Sequence, residues 1–172
     1  MRIFETERLV ARPLVKSDIS ALAKILSDPE VMRYSIRGVC DESATAKFIG
    51  WCQSCYDDYG VGPWALVNKT DSELVGFCGV SPEEVGGVVE MSLGYRLAQR
   101  HWNRGLATEA ARAAIEYVFS AGISESIVAI IQADHSASLK VAEKSGFRES
   151  IETNFHERIV RIFRLNRFQW SE

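Results

Sequence analysis

The sequence predicts a single α/β domain organised around a mixed β-sheet, and three observations predict it. Residues 63–68, 74–80 and 88–95 read as successive strands, separated by Thr70-Asp71-Ser72-Glu73 and by Glu83-Glu84-Val85-Gly86-Gly87. Both separators are short and turn-like, which is the pattern of an antiparallel meander. A long helix over about 105–121 follows, stops at Gly122 and leads into an Ile- and Val-rich strand at 126–132. A helix interposed between strands is a crossover, and it makes the sheet mixed. Finally, 172 residues that are 47% hydrophobic and 25% charged can bury one core. That excludes a disordered chain, a collagen-like chain and a stapled mini-protein.

The remaining elements follow in order. Residues 7–14 form an edge strand that ends at Pro13. Ser17 or Asp18 caps a helix that carries Ile19, Leu22, Ala23 and Leu26 on one side, and Asp28-Pro29 interrupts it and opens a further short helical turn. Asp41 caps a longer helix that ends before Gly60, with Phe48, Ile49, Cys52, Cys55, Tyr56 and Tyr59 as its apolar stripe. Residues 136–145 make a second late helix closed by Gly146, and the tail at 148–170 has room for two strands around Asn154-Phe155-His156-Glu157. Connections are short throughout, with no repeat and no linker.

The net charge of -3 disfavours a general nucleic-acid binder. No stretch approaches the roughly 18 apolar residues of a membrane span. The opening Met1-Arg2-Ile3-Phe4-Glu5-Thr6-Glu7-Arg8 brings acids early and lacks the apolar run of a secretory signal. The four cysteines, Cys40, Cys52, Cys55 and Cys78, are not a disulfide framework in a chain of this size. The expected location is cytoplasmic.

The most informative stretch is Leu97-Ala98-Gln99-Arg100-His101-Trp102-Asn103-Arg104-Gly105-Leu106-Ala107-Thr108-Glu109-Ala110, which joins a strand to the strongest helix. Arg96, Arg100 and Arg104 crowd here, and no acid falls between Met91 and Thr108. Gly105 stands where the helix begins, and Asn103 tolerates a left-handed backbone. Such a loop points free amide N–H groups at one anion, and the helix end adds partial positive charge. The chemistry suits a phosphate or pyrophosphate, although a glycine before a helix and scattered arginines are also ordinary surface features. Neither the dinucleotide fingerprint nor a Walker loop matches the spacing.

Several segments then carry a resemblance in consistent order. They are Thr6-Glu7-Arg8-Leu9-Val10-Ala11-Arg12-Pro13-Leu14, Asp28-Pro29-Glu30-Val31-Met32, Leu74-Val75-Gly76-Phe77-Cys78-Gly79 and Glu90-Met91-Ser92-Leu93-Gly94-Tyr95. Trp102-Asn103-Arg104-Gly105-Leu106-Ala107-Thr108-Glu109-Ala110 and Ser138-Leu139-Lys140-Val141-Ala142-Glu143-Lys144-Ser145-Gly146-Phe147 complete the set. Together they resemble the GNAT superfamily of N-acetyltransferases, in its RimJ/RimL-type branch. The resemblance implies a GNAT-type fold over residues 1–172, with a mostly antiparallel central sheet and helices on both faces. It implies acetyl-CoA as cosubstrate and no metal. Asn103, Arg104, Gly105, Leu106 and Ala107 would wrap the pyrophosphate, with Arg100 and Thr108 beside them. Met91, Ser92 and Leu93 would contact pantetheine where two strands splay, and Ser138 and Lys144 would lie on the side that the cofactor reaches. Asn103 replaces the family's usual first glycine, His135 replaces a common Asn, and Ala142 stands where many members carry a tyrosine.

Acetyl transfer from a thioester needs a neutral amine, an oxyanion donor and a proton for the departing thiolate. Glu90 is the first candidate for proton acceptor, because a carboxylate in an apolar strand is raised in pKa by burial; the competing reading is a structural salt bridge. His135 is the second, because an unperturbed imidazole near pKa ~6.5 exchanges protons at neutral pH, against a role in starting the helix. Ser138 is the candidate thiolate donor, against a capping or packing role. Cys52 and Cys55 lie inside an amphipathic helix and read as structural. Asp57 and Asp58 offer a weak attraction for a cationic amine, and His101 and His156 read as packing or surface residues. The expected acceptor is a primary amine, either a protein N-terminus or a small amine such as a polyamine or antibiotic. No direct nucleic-acid or membrane binding is expected, and the chain is expected as a monomer or homodimer. The competing classes are a non-catalytic acyl-CoA-binding domain and a metal hydrolase, for which the three histidines show no coherent ligand spacing.

Overall fold

A computed structural model describes residues 1–171. The strands are β1 (Phe4–Glu5), β2 (Leu9–Pro13), β3 (Pro63–Asn68), β4 (Leu74–Val85), β5 (Val88–Leu97), β6 (Ser126–Gln132), β7 (Ser150–Phe155) and β8 (Arg158–Asn166). The helices are α1 (Ile19–Leu26), α2 (Glu42–Tyr59), α3 (Leu106–Ser120), α4 (Ser136–Lys144) and α5 (Arg167–Ser171). All strands join one sheet in the order β1-β2-β3-β4-β5-β6-β8-β7. The pair β5–β6 is parallel and is crossed by α3, while every other pair is antiparallel. The mixed sheet expected from the meander and the crossover is therefore present.

Both faces of the sheet are covered. On one face α3 and α4 bury Ala110, Ala111, Ala114, Ile115 and Ala142 against Leu66, Val75, Val80 and Ile127. On the other, α1 and α2 bury Leu22, Leu26, Phe48 and Ile49 against Leu14, Ala65 and Phe77. This double cover explains why residues 75–80 are buried without alternation. The second cover stops short of β6 and β8. There Val128, Val160 and Ile162 form a separate small cluster with Val85, and a cleft remains between the two groups.

Three local differences from the sequence pattern matter. The strand expected to end at Val80 continues to Val85, and the connection to β5 is the two-residue turn Gly86-Gly87. Both glycines have positive φ, +58° and +83°, as a tight primed hairpin requires. Glu83 therefore lies in a strand, directly opposite Glu90. At the other end, β2 is not the edge, because β1 pairs with it through Phe4↔Ala11. The Asp18 carboxylate does not cap α1; it accepts from the Val15 N–H at 2.9 Å and from both terminal nitrogens of Arg12 at 2.8 Å. After Asp28-Pro29 the chain makes the expected short helical turn, closed by the i→i−4 bond from the Met32 N–H to the Asp28 carbonyl at 3.1 Å.

The feature that positions the site is a defect in the sheet. β5 and β6 share one registered pair, Ser92↔Val128, and part beyond it. Parallel neighbours normally continue their ladder, so the inner edges of residues 93–97 and 129–132 are left facing a gap.

Candidate active site

The gap between β5 and β6 is flanked by the start of α3 and the start of α4. Between β5 and α3 the chain makes a 3-10 turn at Gln99–His101 and then an exposed loop. Asn103 and Gly105 both adopt left-handed backbone, with φ of +61° and +76°. Among the described residues, no hydrogen bond engages the backbone N–H groups of residues 103–108. They form a concentrated set of donors at a helix N-terminus. The loop is held from outside by the β1–β2 corner. Arg8 donates to the Arg104 carbonyl at 2.8 Å and to Glu109 at 2.8 Å, while the Thr6 hydroxyl donates to Glu109 at 2.6 Å. The Trp102 indole N–H donates to the Leu97 carbonyl at 2.9 Å, and the buried His101 ring packs beneath.

The expected loop residues therefore come together. Asn103, Arg104, Gly105, Leu106, Ala107 and Thr108 form one cradle. Arg100 stands to its side in an exposed ion pair with Glu73 at 3.3 Å. Arg96 does not join them, because its side chain lines the cleft on the other face of the sheet. Met91, Ser92 and Leu93 bracket the last β5–β6 pair. Ser138 is buried in the first turn of α4, whereas Lys144 is exposed in the last turn, with its carbonyl accepting from Arg112 at 3.1 Å.

A cavity of about 340 Å³ occupies the cleft. Ser92, Gly94, Tyr95, Ile130, His135 and Ser138 line the side next to the gap, and Tyr34, Phe48, Trp51, Phe77 and Phe155 supply aromatic walls. The Tyr95 hydroxyl and Ser138 Oγ are 2.6 Å apart. Burial pushes the Tyr95 phenol up to about 12, so at neutral pH it is a proton-bearing group.

Two expectations about the acid–base residues are corrected. Glu90 is not raised in pKa; the hydrogen bonds from Arg164 hold it below the ordinary carboxylate range. Arg164 Nε and Nη2 donate to its two oxygens at 2.9 and 2.6 Å, so it is a clamped ion pair, and it does not line the cavity. His135 is not poised near neutrality. Burial, reinforced by the charge of Arg96, lowers it to about 4. It stacks on Tyr34 with ring centroids 3.8 Å apart, and its Nδ1 accepts from the Ser138 N–H at 3.4 Å as the cap of α4. Asp57 and Asp58 are exposed at the end of α2 and lie away from the cavity lining.

The carboxylate that faces the cavity is Glu83. Burial raises its pKa against a smaller opposing effect from the charge of His156, and among the described residues it has no ion-pair partner within 4 Å. In the sequence it falls within Glu83-Glu84-Val85-Gly86-Gly87, the segment expected as a turn. The Gly86-Gly87 dipeptide was the available signal, since a two-residue hairpin extends both strands to its edges. Tyr95 was also missed; its place on alternate positions with Leu93 and Leu97 was the clue.

Residues 8–148 match the Acetyltransferase (GNAT) domain family. The chain belongs to the GNAT acetyltransferase family. This GNAT protein is 36% identical over 146 residues, 84% of each chain, to "Uncharacterized protein YkkB" of Bacillus subtilis strain 168. In fold it is similar to a GNAT-family acetyltransferase from Bacillus anthracis, at 24% identity and TM-score 0.79, over 95% of this chain and 98% of that one. It is also similar in fold to AAC(6')-Ib in complex with paromomycin and acetyl-CoA, at 15% identity and TM-score 0.80, over 96% and 97% of the two chains. Its structural neighbours include ribosomal-protein and aminoglycoside acetyltransferases, with no branch dominant. At the level of the family, the activity is acetyl-CoA-dependent acetyl transfer. Among the described residues, no helix is long and apolar enough to cross a membrane, and no cluster of three or more His, Cys, Asp or Glu is placed to hold a metal ion.

Proposed function

We propose that this GNAT protein moves the acetyl group of acetyl-CoA directly onto a primary amine, with Glu83 as the proton acceptor. The observation that carries the reading is the unpaired, raised carboxyl of Glu83 in the same cavity as the Tyr95–Ser138 hydroxyl pair. The thioester brings its own activation, so no acyl-enzyme is needed. An alkyl amine with pKa near ~10 arrives mostly protonated. Glu83, directly or through water, takes that proton, and the freed lone pair attacks the thioester carbonyl. As the C–S bond breaks, the proton still carried by the nitrogen of the tetrahedral adduct passes to the departing thiolate through the Tyr95–Ser138 hydroxyl pair, so neither hydroxyl is left charged.

The cradle at residues 103–108 would hold the pyrophosphate by backbone amides, and the open edge of β5 past Ser92 would run beside the pantetheine arm. The RimJ/RimL-type resemblance makes a protein N-terminal amine one acceptor, and the cavity volume equally fits a small amine. The test supplies acetyl-CoA with separate pools of N-terminal peptides, amino acids, polyamines and aminoglycosides, and identifies the acetylated product by mass. Amine-dependent CoA release with an N-acetyl product is expected. Tight CoA binding with no amine-dependent release would make this a binding domain.

A further inference from the structure

The cavity carries more positive charge than acetyl transfer to an amine requires. Arg37, Arg96 and Arg158 line it, against Glu83 as the lining carboxylate. None of the three arginines forms an ion pair among the described residues. Arg96 is partly buried, and its hydrogen bond is to the Tyr95 carbonyl, at 2.7 Å from Nη1. A guanidinium has five N–H donors in a rigid fork, so most of the Arg96 fork remains for a ligand. Burial lowers its pKa, and the nearby charge of Arg37 adds to that lowering. Arg37 sits with its guanidinium 5.1 Å over the Phe48 ring, at the aromatic wall of the same cavity. Arg158 donates to the Tyr34 carbonyl at 3.4 Å. Two neighbouring guanidinium groups without a counter-anion raise each other's electrostatic energy, and a bound anion relieves it.

Resting on the acetyl-transfer reading, we propose that the acceptor is a small primary amine that also carries a carboxylate, gripped by Arg37 and Arg96 while its amine faces Glu83. A guanidinium fork matches a carboxylate bidentately. Phe48, Trp51 and Phe77 offer an apolar wall to the body of such a molecule. Neutral His135 adds no charge of its own. A polyamine or aminoglycoside would meet the arginines as like charges, which disfavours it here.

The experiment compares kcat/KM for free L-amino acids with that for their carboxamides, which keep shape and amine while removing the charge, and with a polyamine. The wild-type protein is expected to prefer the carboxylate over the carboxamide at least ~10-fold. Arg37→Gln and Arg96→Gln are expected to collapse that ratio toward one, and Arg37→Lys to leave an intermediate ratio. The ratio is the reading, because a folding defect lowers both arms together. A wild-type ratio near one, a preference for the polyamine, or a ratio untouched by both glutamine variants overturns the proposal while leaving acetyl transfer standing. Failure to acetylate any amine overturns acetyl transfer itself, and this proposal with it.

Discussion

Glu83→Gln isolates the proposed base from its closest structural twin. Glu83 and Glu90 are cross-strand partners in the β4–β5 hairpin, yet their surroundings are opposite. Glu90 is clamped by Arg164 and held low, while Glu83 is unpaired and raised by burial. A positioned general base contributes about 10²- to 10⁴-fold, which at ~1.36 kcal/mol per factor of ten is about 3 to 5 kcal/mol of barrier. Glu83→Gln is expected to lose kcat on that scale with the acetyl-CoA KM unchanged. Glu90→Gln is expected to keep kcat within ~3-fold, because it breaks an ion pair whose arginine side chain is 46% exposed, costing about 1 kcal/mol of stability or less. The assay is CoA thiol release at saturating amine, followed across pH. In the wild type the rate should fall as pH drops through the Glu83 pKa, and that acid limb should vanish in Glu83→Gln. Stability should move the other way. A carboxyl with a raised folded pKa binds more protons folded than unfolded, so stability falls as pH rises from the unfolded value of ~4.3 through the folded one. At pH 7 Glu83→Gln should therefore be at least as stable as the wild type, which separates lost chemistry from lost folding. Wild-type kcat in Glu83→Gln, or the large loss appearing in Glu90→Gln, would refute the assignment.

Four further substitutions bear on the site and on the fold that supports it. Ser138→Ala should lower kcat by about 10- to 100-fold, and adding Tyr95→Phe should cost less than the product of the two single effects, because the hydroxyls act as a pair; full turnover in Ser138→Ala would remove it as the thiolate donor. Arg8→Gln frees the Arg104 carbonyl and loosens the cradle, so the acetyl-CoA KM should rise ~10-fold while the amine KM stays put, a split read from initial rates. Asp18→Asn removes the charge that accepts from Arg12 and Val15 and should cost about 2 to 3 kcal/mol in denaturant unfolding at pH 7. Although burial opposes it, bonding to Arg12 and Val15 holds the Asp18 pKa below its ordinary value. The advantage over asparagine should be full above the unfolded value of ~3.9 and should disappear as pH falls through the folded one.

The meander, the crossover, the cradle at 103–108 and the caps at Asp41 and Gly60 were legible because each rests on a local pattern: periodicity, a glycine or a side-chain acceptor. The pairing of strands across distance was not legible in the same way. Nothing local in Phe4-Glu5 announces that it will cover β2, and nothing near Glu90 announces Arg164. The acid–base residues failed for that reason. A carboxylate among apolar neighbours predicts burial, but whether it is raised or lowered depends on what the adjacent strand brings to it. Arg164 arrives beside Glu90 from β8 and bonds it, whereas burial outweighs the opposing charge of His156 at Glu83. A free-solution pKa misleads for His135, because its burial and the charge of Arg96 that lower it are tertiary facts. The arginines near the loop split for a simpler reason. Arg96 is still in β5 and lines the cleft beside that strand, while Arg100 and Arg104 follow the turn that leads into α3.

Direct transfer requires amine and thioester to meet in one cleft. The initial-velocity pattern of CoA release, with acetyl-CoA and amine varied together, tests it most directly. Direct transfer predicts intersecting reciprocal plots, release that depends on amine, and no acetylated protein in the absence of amine. Parallel plots with an acetyl-enzyme detected by intact mass, or CoA release at the same rate without amine, would contradict it.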